Sequence, residues 1–182
     1  MQQFSYRKYL NILGFFFFTI VVLQSCSKET PPCYQPTETN INFNFVSRNI
    51  VHIDSIHDGK HIDTMIIKYT DTFLNNSRIY TYDLEQNFEI INRGGNMRIS
   101  APLDPSKDYI NYVFQMDTSI SILDTISLKY ETERSFISNA CGFAFEYNIN
   151  NIKSSKENID SFILVKPKVK IENETHVQLY FY

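Results

Sequence analysis

Apolar residues in this chain recur at every second position, in short runs broken by turn residues, and no window sustains the 3.6-residue period of a helix. Ile41, Phe43 and Phe45 alternate with Asn42 and Asn44, the pattern of a strand with one buried face. Asn49–Ile56 and Ile62–Tyr69 follow, and the Asp58-Gly59 pair between them suits a tight hairpin turn. Further strands are expected at Arg78–Leu84, Phe88–Ile91, Met97–Ala101, Tyr109–Met116, Thr125–Glu131, Gly142–Ile149, Ser161–Val165, Val169–Ile171 and His176–Tyr182. The breaks carry turn chemistry, as in Asn75-Asn76-Ser77, Arg93-Gly94-Gly95-Asn96, Pro102-Leu103-Asp104-Pro105 and Lys166-Pro167. Many short strands with frequent turns predict an all-β antiparallel sandwich, immunoglobulin-like in general character. The aromatic last strand also invites a transmembrane barrel. Barrel strands need roughly 9–11 residues, and most of these are shorter.

The N-terminus has the layout of a lipoprotein signal. Arg7 and Lys8 precede an apolar run from Leu10 to Leu23, and Leu23-Gln24-Ser25-Cys26 closes it. Charge, apolar core and small residue in that order mark a removable secretory signal over residues 1–25, with Cys26 as the lipidated first residue of the mature chain. The run is too short for a membrane-spanning helix, which takes roughly 20 apolar residues. Several acyl chains on Cys26 would hold the protein stably at a membrane. Residues 26–39, with Pro31, Pro32 and Pro36, read as a tether, and residues 40–182 as a single domain.

Loss of Arg7 and Lys8 takes 17 basic residues to 15 against 20 acidic, a mature balance of −5. That sign argues against nucleic acid as a partner. With 43% hydrophobic and 15% aromatic residues, the chain has the material for a packed core. Once Cys26 is lipidated, Cys33 and Cys141 are the two remaining cysteines. Beyond the inner membrane they either form a disulfide, which the oxidising compartment favours, or stay as two buried thiols.

No motif specifies a chemistry. There is no Gly-x-Ser-x-Gly, no His-Glu-x-x-His and no phosphate loop, so no catalytic residue and no cofactor is assigned. His52, His57 and His61 lie close together, but His52 and His57 fall on opposite faces of a strand. His57 and His61 flank the turn and could meet across it with Asp58 or Asp63; exposed turn histidines are the commoner case, and no metal is assigned. Asp104, Asp108, Glu131, Glu133 and Glu146 are the carboxylates from which a hydrolytic pair would have to come, and nothing in the sequence selects among them. Asp54-Ser55-Ile56, Asp63-Thr64-Met65 and Asp124-Thr125-Ile126 repeat an Asp, hydroxyl, aliphatic pattern. It resembles the acceptor pattern of the O-glycosylation system of exported proteins in Bacteroidota, which makes Ser55, Thr64 and Thr125 candidate glycan sites. It is equally a natural strand-entry pair, with Asp in the turn and a strand-forming residue after it. Ser27-Lys28-Glu29 partly resembles a signal for display on the outer face of the outer membrane.

The stretch Asp124-Thr125-Ile126-Ser127-Leu128-Lys129-Tyr130-Glu131, followed by Ile137-Ser138-Asn139-Ala140-Cys141-Gly142-Phe143, resembles a group of Bacteroidota lipoproteins known as domain of unknown function 6452. Their pattern is "DTL-x-x-x-Y-E", then "I-S-x-A-C-G-F", with an earlier cysteine soon after the lipidated one; here Ile126 stands for the usual leucine. The resemblance implies a secreted, lipidated, all-β protein with Cys33 paired to Cys141, and carries over no activity. Around Cys141, the residues Phe143, Phe145 and Tyr147 share a strand face expected to be the centre of the core.

The resulting expectation is a non-enzymatic lipoprotein of the outer membrane. It would be an accessory or assembly subunit docking on a membrane protein, or alternatively a surface module binding glycan or another ligand. A groove bearing several tyrosines would favour glycan. A contiguous apolar patch or a long unpaired sheet edge would favour protein.

Overall fold

A computed structural model describes residues 32–33 and 38–181. Residues 1–33 and 34–182 separate as two units, and the description below concerns the second. The expected signal peptide, the lipidation site Cys26 and most of the tether lie outside the described residues.

The second unit is an all-β, two-sheet antiparallel sandwich, as expected. Its strands are β1 (Asn40–His57), β2 (Lys60–Asp71), β3 (Ser77–Thr81), β4 (Phe88–Asn92), β5 (Arg98–Pro102), β6 (Tyr109–Gln115), β7 (Asp124–Ser138), β8 (Gly142–Ser154), β9 (Ile159–Leu164), β10 (Lys168–Val169) and β11 (Val177–Phe181). One sheet runs β2-β1-β11-β9 with β5 also on β1, and the other runs β10-β8-β7-β6-β3-β4. All pairings are antiparallel except β1 with β11.

Two expected strands are one. Residues 41–45 and 49–56 both belong to β1, which changes partner along its length instead of stopping. Its first part pairs with β5 (Asn40↔Pro102 to Asn44↔Arg98) and its later part with β2 (Val46↔Asp71 to His57↔Lys60). Phe45 shows that both lie on the same edge: its N–H donates to Met97 O (2.9 Å) and its carbonyl accepts from Thr72 N–H (3.0 Å). The opposite edge is held by β11 only from Phe43 to Ser47. The strand expected at Arg78–Leu84 ends at Thr81. There the Thr81 hydroxyl accepts from Asp83 N–H (3.1 Å), and the Asp83 carboxylate takes Asn111 N–H (2.7 Å).

The core forms where alternate positions of the two sheets meet. Ile41, Phe43 and Phe45 of β1, with Val177, Leu179 and Phe181 of β11, face Ile110, Tyr112 and Phe114 of β6 and Ile126, Leu128 and Tyr130 of β7. Ring contacts cross the gap, Phe43 to Tyr112 at 5.7 Å and Phe45 to Phe114 at 5.6 Å between centroids. Edge-on and tilted arrangements of this kind suit the ring quadrupoles.

Three polar devices close the sandwich. Tyr112, Tyr130 and Tyr147 aim their hydroxyls at the end of β5 and the loop after it, where Tyr112 donates to Pro102 O, Tyr130 to Asp104 O (2.9 Å) and Tyr147 to Leu103 O (3.2 Å). His176, 1% exposed, accepts Asn42 N–H at Nδ1 (3.0 Å) and returns its own N–H to Asn42 O. Asp124, with no exposed surface, accepts from Ser155 Oγ (2.8 Å) and from the N–H groups of Glu157 (2.9 Å), Asn158 (2.8 Å) and Ile159 (3.1 Å). Each group is a buried polar atom whose desolvation is offset by hydrogen bonds.

One expectation near Cys141 is corrected. Tyr147 is buried as expected, but Phe143 and Phe145 are exposed. They lie on the same side of β8, further along than the core extends, because β7 and β8 run on as a hairpin to Ser138↔Gly142. There Phe143 packs on Phe136 (5.3 Å), and the Arg134 guanidinium lies over its ring (4.5 Å).

Candidate functional site

The feature that sets this sandwich apart is the outer length of β1 and β2. From Asn49 to Lys68 every residue is exposed, so the two strands form an arm standing off the body. The turn at its tip has Asp58 at φ 50° and Gly59 at φ 73°. Two successive positive φ values are the signature of a type I′ turn, whose twist matches that of the strands it joins. The expected Asp-Gly hairpin is therefore present, and the register runs without a break from the body to the tip.

Directly opposed residues share a face. One face carries Ile50 with Ile67, His52 with Met65, Asp54 with Asp63, and Ile56 with His61. The other carries Val51 with Ile66, Ile53 with Thr64, Ser55 with Ile62, and His57 with Lys60. Both faces are thus apolar in part and both are in solvent, with Ile56 and Met65 each 68% exposed and Ile50 58%. Both edges are open as well: β2 ends the sheet, and β11 stops opposite Ser47. A lone two-stranded ribbon is marginal in water, and long apolar edges are templates for pairing. An arm of this composition is built to be covered.

The arm sorts the histidines differently from one expectation. His57 opposes Lys60 and His61 opposes Ile56, so His57 and His61 point to opposite faces and do not meet across the turn. His52 instead bonds Asp63 diagonally (3.2 Å), and His61 lies 3.9 Å from Asp54. Asp54 and Asp63 stand directly opposite each other, a like-charge pair that destabilises a bare ribbon. No group of three or more metal-ligating side chains forms among the described residues.

Ser55, Thr64 and Thr125 are all exposed, the first two on the arm and the third at the start of β7. The Ser55 hydroxyl donates to Ile62 O (3.3 Å) across the ribbon. Asp124, the acid of the third pattern, is the buried loop anchor described above. Cys33 and Cys141 are both disulfide-bonded.

The concave surfaces are shallow. A cleft of about 630 Å³ lies between Pro105–Tyr109 and Tyr130–Glu133, and a smaller one of about 380 Å³ between Leu84–Phe88 and Pro102–Pro105. The larger contains Asp108, Glu131 and Glu133, and both glutamates are engaged structurally. Glu131 accepts from Asn150 Nδ2 (2.9 Å), and Lys168 bridges Glu133 (2.9 Å) and Glu146 (3.1 Å). Asp104 accepts from Ser106, which holds its carboxyl below the usual range, the opposite of what a general acid needs. Tyr109 is exposed beside this cleft while Tyr130 is buried, so the cleft does not offer the row of tyrosine rings that a sugar would stack on.

Sequence reasoning located both strands of the arm but not their exposure. A usable signal was present: Ile50 and Val51, like Ile66 and Ile67, are apolar on both parities, which a strand with one solvated face avoids.

No curated protein and no solved structure matches the chain. A family model does match, over residues 76–181, from just before β3 to the end of β11, leaving the arm outside the matched region. The match covers more than half of the 182 residues. The chain belongs to this family of unknown function, domain of unknown function 6452.

Proposed function

We propose that this protein is a lipid-anchored accessory or assembly subunit of the bacterial outer membrane, non-enzymatic, which docks on a membrane protein through the β1–β2 arm. The observation that carries the proposal is the arm itself, with apolar side chains on both faces and both edges open to strand pairing. Strand addition supplies affinity through main-chain hydrogen bonds and specificity through alternate side chains. The anchor is Cys26, and a Cys33–Cys141 disulfide ties the start of the domain to the β7–β8 hairpin. Ser55, Thr64 and Thr125 have the exposure that O-glycosylation requires, and two of them lie on the arm.

The test is photo-crosslinking in intact cells from a probe amino acid at Met65 on the arm, with Tyr109 beside the larger cleft as control. A discrete membrane-protein adduct from Met65 and none from Tyr109 supports docking. Adducts from Tyr109 alone would move the working surface to the cleft and overturn the proposal. Cys26→Ala is expected to release the protein from the membrane fraction, and palmitate labelling retained on that variant would refute the anchor.

A further inference from the structure

We infer that the free edge of β1 pairs with the same edge of a second copy, antiparallel, about a two-fold axis through Ile53. This deepens the proposed function and rests on its reading of the arm as a protein-docking element. It assigns one edge to self-association and leaves the outer edge of β2 for the membrane partner.

The direction of the backbone groups comes first. Phe45 turns both its N–H and its carbonyl toward the β5/β2 edge, while Asn42 turns both toward His176 on the β11 side. Backbone groups alternate along a strand, and the β1–β2 register has no bulge. Ile50, His52, Asp54 and Ile56 therefore direct N–H and carbonyl toward the edge that β11 has left.

The side chains then select a register. When a two-fold axis stands perpendicular to a sheet, opposed residues lie on the same face, so the axis must pass through a residue and cannot pass between two. Centred on His52, the pairing sets His52 against itself and Ile50 against Asp54. Centred on Asp54, it sets two carboxylates together and His52 against Ile56. Centred on Ile53, it sets His52 against Asp54 twice, Ile50 against Ile56 twice, and Ile53 against Ile53. In the run Ile50-Val51-His52-Ile53-Asp54-Ser55-Ile56, the face of Ile50, His52, Asp54 and Ile56 is complementary about the middle residue, while on the other face Val51 meets Ser55. Opposite charges and apolar pairs directly across a ladder are the stabilising arrangement, and like charges the destabilising one. The pairing also brings a second imidazole to Asp54, which directly opposes Asp63 and has His61 at 3.9 Å on its own ribbon. It converts two marginal ribbons into one four-stranded sheet.

The geometry gives a direct test. Ile53 directs its backbone groups inward, so Ile53 and its copy form a non-hydrogen-bonded pair with Cα atoms about 4.5 Å apart, within the range a disulfide bridges. In native membranes holding the full chain, Ile53→Cys should give a disulfide-linked dimer on mild oxidation, seen as a doubled mass on a non-reducing gel and lost on reduction. Thr64→Cys, on the same face but on the far strand, should not. Placing Ile50→Lys and Ile56→Lys in the Ile53→Cys chain opposes like charges and should cut the dimer about tenfold or more. All these positions are exposed, so the body keeps its packing. No dimer from Ile53→Cys, equal dimer from Thr64→Cys, or no effect of the lysines would overturn the inference. The two readings fail separately. A membrane-protein adduct from Met65 without an Ile53→Cys dimer leaves docking standing and removes self-pairing, and the reverse result removes docking alone.

Discussion

Replacing Asp124 should damage the sandwich more than any other single polar change. Its carboxylate has no exposed surface and accepts four hydrogen bonds, three of them from consecutive backbone N–H groups in the loop that leads into β9. Hydrogen bonds to a charged group are worth about 1.5–3 kcal/mol each, which overstates the loss because the loop can swell and admit water. Removing one side of a buried, hydrogen-bonded charge costs about 3–5 kcal/mol in practice, so Asp124→Ala is expected near 4 kcal/mol. Asp124→Asn keeps one oxygen and sets its amide against two N–H donors. With Oδ1 retained, the N–H groups of Asn158 and Ile159 lose their acceptor, and the expected cost is about 3 kcal/mol. The assay is urea unfolding of a soluble form beginning at Ser27, comparing midpoints at unchanged slope. Hydrogen exchange at residues 157–159 should accelerate in both variants. A cost below about 1 kcal/mol for Asp124→Ala, with those amides still protected, would refute the anchoring role.

Other expectations follow from the same polar devices. Burial lowers the His176 pKa below its free value of 6.5, with the Lys166 and Arg98 charges adding to the effect and Glu174 opposing it. The folded state therefore binds fewer protons than the unfolded one, and the stability His176 contributes is complete above 6.5 and lost as pH falls through its folded value. Urea midpoints should drop between pH 7.5 and 5, and His176→Gln should flatten that drop; an equal slope in the variant would contradict it. Burial also pushes the Tyr147 hydroxyl up to about 12, and raises Tyr130 and Tyr112 as well. Their contribution is complete below pH 10 and falls away above it, so absorbance titration should find these three un-ionised at pH 11, and full ionisation there in folded protein would refute the clamp. Tyr147→Phe should cost about 1 kcal/mol by urea unfolding, the net worth of one neutral hydrogen bond. If Cys33 and Cys141 pair, reduction should cost about 4–5 kcal/mol on the chain-entropy model. Two freely alkylated thiols in unreduced protein would sink that pairing.

The fold was legible because a strand's period of two is local and turn residues such as Asp58-Gly59 have local backbone reasons. What reads poorly is anything decided by distant partners. Val46-Ser47-Arg48 separates two expected strands, yet β1 continues through it, since β2 takes up the ladder where β5 leaves it. Phe143 and Phe145 follow the same alternation as Tyr147, and nothing local says that the core ends before them. The tyrosine clamp has no sequence signature at all, because its acceptors are backbone carbonyls of Pro102, Leu103 and Asp104. Asp124 sat in the pattern read for glycosylation and strand entry, whereas its partners lie more than thirty residues away. The arm was half legible: its strands and turn were clear, and its exposure was recorded only in the apolar residues on both parities.

The docking account is tested most directly by removing the arm. Arg48 and Tyr69 oppose each other at its base, so an Asn-Gly turn joining them would replace residues 49–68 and leave every core contact in place. The account predicts that this shortened protein is still made, anchored and as stable in its body to within about 1 kcal/mol, while its membrane-protein partner no longer co-purifies. A partner that still co-purifies with the armless protein would contradict the account.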